Sequence, residues 1–152
     1  MLPPGQGLFA LKRNTAITML GYGEVRANAF VRPLCKGLNL VGGGYPLDQS
    51  ANGTGGRAMS KDPAGFFGSR DFKSADSFYL WQGDAGAGGN GYDTYYLLHS
   101  VAPQPVMTRW VKVGDAKLSA RDTAPILLGG RSVFIRGAAD LHGYTIPTPW
   151  TP

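Results

Sequence analysis

The stretch "GGNGYD", Gly88 to Asp93, fits the calcium-binding pattern G-G-x-G-x-D. Proteins that use it stack several copies, because a hard cation takes roughly six to eight oxygens and one turn cannot supply them. Asp84, Asn90 and Asp93 would gather round one ion only if the loop folded back on itself. The segment therefore reads first as an ordinary hairpin loop. No cofactor is expected, with calcium at those three residues as the one candidate.

Other chemistry is thinner. The chain has two histidines, His99 and His142, and one cysteine, Cys35. They lie far apart without the paired spacing of a metal site, and no serine sits in a G-x-S-x-G elbow. One cysteine permits no intramolecular disulfide. Glu24 is the only glutamate, and the aspartates are scattered, with Asp62, Asp84 and Asp115 beside glycine or proline in expected turns. That leaves few carboxylates for glycosidic acid–base work, and little for an acid to be raised in pKa by burial. The triple glycine Gly42–Gly44 is followed by no P-loop or dinucleotide signature, so it reads as a tight turn or bulge. "NGT" at Asn52 fits a glycosylation sequon. The ingredients of catalysis are scarce, and a non-enzyme is expected.

The aromatic residues are the strongest surface candidates. In "SFYLW", Phe78 and Leu80 point one way, and Tyr79 and Trp81 the other. "YDTYYLLHS" adds Tyr92, Tyr95 and Tyr96 on the expected partner strand. Exposed, Tyr79, Trp81 and Tyr95 would form a platform on which sugar rings stack. Buried, the same rings would fill a core.

Strands must position these residues. Gly (23) and Pro (11) are abundant, and they weaken helices and mark turns. The apolar runs are rich in Val, Phe, Tyr and Thr, which suit a pleated surface. Leu38 to Val41 reads as a strand. Ser77 to Gln82 and "YDTYYLLHS" read as a hairpin joined by the glycine-rich "AGAGGNG". "TRWVKVGD" and "RSVFIRG" give two more strands, and Ser74 is placed to cap one helical turn. The polar "QSANGTGGRAMSKDPAG" is longer than an ordinary connection. "YTIPTPWTP" reads as an extended tail, whose prolines suit an edge or a groove on a neighbouring chain. The expected fold is all-β, an antiparallel β-sandwich with glycine-rich loops and extended ends.

Near the N-terminus, "LPPGQGLFALKR" aligns without gaps with the segment ending in "LLGGRSVFIRG". Leu2 meets Leu127, Gly5 meets Gly130, Leu8 meets Val133 and Phe9 meets Phe134. Residues 1–34 are thus expected to be the closing strands of a preceding module or an N-terminal β segment, and residues 35–152 a complete β-sandwich-like module with an extended proline-rich tail.

The 15 basic and 10 acidic residues give a net charge of +5, but the basic residues are scattered, so no nucleic-acid partner is expected. No apolar stretch of about 18 residues exists to span a membrane as a helix. "MLPPGQGLFALKR" lacks the apolar run of a signal peptide.

At "GLNLVGGGYPLDQS", "GFFGSRDFKSADSFYLW", "GYDTYYLL" and "RWVKVGD" the sequence resembles an uncharacterised family of secreted bacterial proteins best known from Verrucomicrobia. The resemblance runs from about Gly21 to Pro152 and takes in the terminal "TIPTPWTP". It implies a β-rich module from the C-terminal part of a longer, exported protein, at the cell surface or outside the cell. It brings no catalytic residues.

Two functions follow as expectations. The first is an exported structural protein that self-associates into an oligomer or polymer by strand addition, possessing contacts at residues 2–13 and 144–152, among them Leu8, Phe9, Tyr144, Ile146 and Trp150. The second is a carbohydrate-binding module, with a polysaccharide on Tyr79, Trp81 and Tyr95.

Overall fold

The computed structural model describes residues 27–42, 45–50, 66–82, 91–101, 103–105, 107–121, 125–127, 129 and 131–146. These hold nine strands: β1 (Phe30–Leu34), β2 (Gly37–Gly42), β3 (Gln49–Ser50), β4 (Ser77–Trp81), β5 (Tyr92–Ser100), β6 (Met107–Lys112), β7 (Pro125–Leu127), β8 (Ser132–Gly137) and β9 (Leu141–Ile146). No helix occurs among the described residues. The all-β, antiparallel expectation holds. The layers are one five-stranded sheet, ordered β2-β8-β4-β5-β6, and two short ladders, β1-β9 and β3-β7. The described strands do not form two sheets of similar size.

Strands β4, β5 and β6 follow one another as a meander, and β8 returns beside β4. That order, with the fourth strand lying next to the first, is a Greek key. β8 thereby separates β2 from β4, antiparallel to both. The β1-β9 ladder pairs Phe30 with Ile146 and Arg32 with Tyr144, and so joins chain from both sides of the expected boundary at residue 34.

Alternation along each strand sorts the side chains onto two faces. The inner face carries Val41 from β2, Val133 and Ile135 from β8, Phe78 and Leu80 from β4, Tyr95 and Leu97 from β5, and Trp110 from β6, all buried. Leu34, Tyr45 and Phe66 close over it. At its centre Phe78 and Trp110 lie 4.5 Å apart between ring centroids, and Phe66 stands 5.6 Å from each. Side chains of this size each contribute about 1.5–3 kcal/mol on burial, so this cluster is the main apolar source of stability. Polar pairs finish the same face at its two ends: His99 Nδ1 lies 2.8 Å from Thr108 Oγ1, and Lys112 meets Asp93 at 2.7 Å.

Candidate functional site

The outer face of the sheet is divided. Over β5 and β6, Tyr96, Leu98 and Val111 are sealed beneath residues 69–76, with Ala75 fully buried against them. That cover is a single turn held by Asp71, whose main-chain carbonyl accepts from Ser74 N and Ala75 N at 3.0 and 3.1 Å. The Asp71 side chain accepts from Lys73 N, as turn aspartates do. The helical turn that Ser74 was expected to cap does not form: Ser74 closes a turn that starts at Asp71, and strand β4 follows from Ser77. Arg136 of β8 reaches up and donates to the carbonyls of Phe72, Lys73 and Ala75 at 2.7–2.9 Å, which satisfies the end of the turn. Phe72 packs on the Tyr96 ring.

Asp76 anchors the same cover from within. It is 5% exposed, and its two carboxylate oxygens accept from Phe67 N and Ala138 N, both at 2.6 Å. Burial pushes its carboxyl above the ordinary value, against the pull of those two N–H groups and of the Arg136 charge. Asp76 is thus an exception to the expectation that the sequence leaves little for an acid to be raised in pKa by burial. With both oxygens occupied by main-chain donors, Asp76 fixes the 66–67 segment to the end of β8; the arrangement is that of a structural anchor.

Over β2, β8, the end of β4 and the start of β5 none of the other described segments is seen to cover the outer face, and it carries exposed rings. Register puts Leu40 beside Phe134, and Phe134 beside Tyr79. One step along, Trp81 stands opposite Tyr92. The Trp81 and Tyr92 rings meet edge to face with centroids 4.9 Å apart, and Tyr92 lies 6.0 Å from Phe134. Trp81 is 44% exposed, Tyr92 41% and Leu38 61%. Gly91, at φ +72°, is where the chain enters β5, and a Cβ there would fall on the Trp81 ring. The glycine thus lets the main chain pass against that ring. Gln82 and Arg131 are exposed, and each adjoins this end of the sheet in sequence, next to Trp81 and Ser132.

The residues singled out from the sequence fall differently. Tyr79 and Trp81 share the open face as expected. Tyr95 does not: it stands opposite Phe78 on the inner face, buried in the core. Tyr92 takes its place, and Leu38, Leu40 and Phe134 complete the surface. Their signal was the alternation of "GLNLVG" and "SVFIRG", which becomes readable only once β8 is known to lie between β2 and β4. Asp93 projects to the inner face and pairs with Lys112. Asp84, Asn90, Leu8, Phe9 and Trp150 lie outside the described residues. Tyr144 and Ile146 belong to β9, where their main chain pairs with β1. Among the described residues no three His, Cys, Asp or Glu side chains gather as a metal group, and no helix is long and apolar enough to cross a membrane.

Comparison with protein-family models, with curated proteins and with solved structures found no match for this chain.

Proposed function

We propose that this chain is a non-catalytic binding module whose ligand is a polysaccharide lying on the open face of the five-stranded sheet. The observation that carries the reading is the exposed Trp81–Tyr92 pair, extended by Tyr79, Phe134 and Leu38 on one continuous face. The apolar C–H face of a sugar ring packs on an aromatic ring and removes apolar area from water, at about 25 cal/mol per Å². The phenolic groups of Tyr79 and Tyr92 can hydrogen-bond its hydroxyls. A sheet face is flat, and it suits an extended polymer better than a small molecule, which needs a concave site. Export, implied by the resemblance in the sequence, would place such a module among extracellular polymers.

Pull-down on a panel of insoluble polysaccharides tests this. Retention by at least one polymer is expected, with Trp81→Ala weakening it several-fold while the thermal transition persists. Retention unchanged in that variant, or no retention by any polymer, refutes the reading.

Self-association, the other expected function, draws less support from the residues first assigned to it, since the main chain of Tyr144 and Ile146 already has its partner within the chain.

A further inference from the structure

The two outer strands of the five-stranded sheet are unlike. The outer edge of β6 is partly occupied, for Arg121 N donates to Trp110 O at 2.7 Å, and the strand carries Arg109 and Lys112. Proteins protect edge strands by such covers and charges. β2 has neither. Its sequence, "GLNLVG", contains no Lys, Arg, Asp, Glu or Pro, and among the described residues nothing pairs with its outer edge. Leu38, which stands on this strand, is 61% exposed.

We infer that β2 pairs antiparallel with β2 of a second copy of this chain, about a two-fold axis perpendicular to the sheet. The occupant follows from the strand itself. An antiparallel pair of identical strands is self-complementary, so one patch serves both partners. An uncharged strand sets no like charges opposite each other across the axis. The main-chain N–H and C=O groups on the outer edge of β2 gain partners, and Leu38 and Leu40 of the two copies come together on the outer face. Two five-stranded sheets become one of ten strands. The contact is isologous and closes on itself, so the product is a dimer and not a filament. Its site is β2, and residues 2–13 and 144–152 have no part in it. The inference is independent of what binds the aromatic face.

Sedimentation of the full chain across a concentration series, with Leu38→Lys and Trp81→Ala beside it, tests the assignment. A concentration-dependent dimer is expected. Leu38→Lys should weaken it about tenfold or more, because two pairings are altered at once by symmetry. Trp81→Ala, on the same face but two strands inward, should leave it unchanged. Amide exchange of Gly37–Gly42 in the unaltered chain is a second readout that needs no variant: protection should rise with protein concentration. A monomer at every concentration, growth beyond a dimer, loss of the dimer with Trp81→Ala but not Leu38→Lys, or β2 exchange independent of concentration would each overturn it.

Discussion

Asp76 offers the sharpest test of how this fold is held. Replacing it with alanine removes both acceptors from Phe67 N and Ala138 N, two bonds of 2.6 Å in part-buried surroundings. An orphaned buried donor costs about 1–3 kcal/mol, and the part-buried setting puts each of these near the lower end. Relief of the burial that raises the carboxyl pKa offsets some of the loss. The net expectation for Asp76→Ala is about 1–2 kcal/mol, a sizeable part of the roughly 5–15 kcal/mol available to a typical domain. Asp76→Asn keeps one acceptor and turns an amide N–H₂ against the other donor, so about half that cost is expected. Urea unfolding followed by tryptophan emission reads this directly, since Trp110 is 1% exposed in the core. The midpoint should fall with the slope unchanged. A cost for Asp76→Ala within about 0.5 kcal/mol of zero, the range of an ordinary surface change, would refute the anchoring role. So would an asparagine variant less stable than the alanine one. The pH dependence follows from the same burial. The folded chain holds the Asp76 proton more tightly than the unfolded chain does, so this contribution is present below the unfolded carboxylate value and lost as pH rises through the folded one. Asp76→Asn should remove that decline.

Gly91→Ala forces an L side chain into left-handed backbone and pushes on the Trp81 ring; a loss of about 1–2 kcal/mol is expected from the backbone alone, read as a lower melting temperature, together with shifted tryptophan emission. An unchanged melting temperature and spectrum would show that the close approach is not required. Asp115 behaves oppositely to Asp76. Hydrogen bonds from Lys117 N and Ser119, and the Arg121 charge, hold its carboxyl below the ordinary value. Its stabilisation is present above the unfolded value and lost as pH falls through the folded one, so Asp115→Asn should flatten the acid limb of a stability–pH profile.

The strands themselves were legible because side-chain alternation is local. "SFYLW" and "YDTYYLLHS" announce a hairpin, and the split of Phe78 and Leu80 from Tyr79 and Trp81 follows from a period of two. Tyr95 shows where this fails. Alternation says that Tyr95 and Tyr96 face opposite ways, but not which of them shares a side with Trp81. The pairing of Trp81 with Tyr92 settles it: Tyr95 falls opposite Phe78, and Tyr96 on the Trp81 side. A one-residue slip of register would have exchanged the two.

The all-β class, the hairpin and the alternation that assigns rings to faces were fixed by residue types and spacing, which act over a few neighbours. Tertiary structure decided the rest. Insertion of β8 between β2 and β4 brings Phe134 against Tyr79 and lines Arg136 up with Ser77, residues more than fifty positions apart. Burial of Asp76 depends on a segment before it and a strand end far after it. Among the described residues β2 has one partner, β8, and that pairing of distant segments leaves β2 at the end of the sheet order. Pairings of this kind join distant chain segments by main-chain hydrogen bonds, which nearly every residue can make, so residue identity alone does not select them.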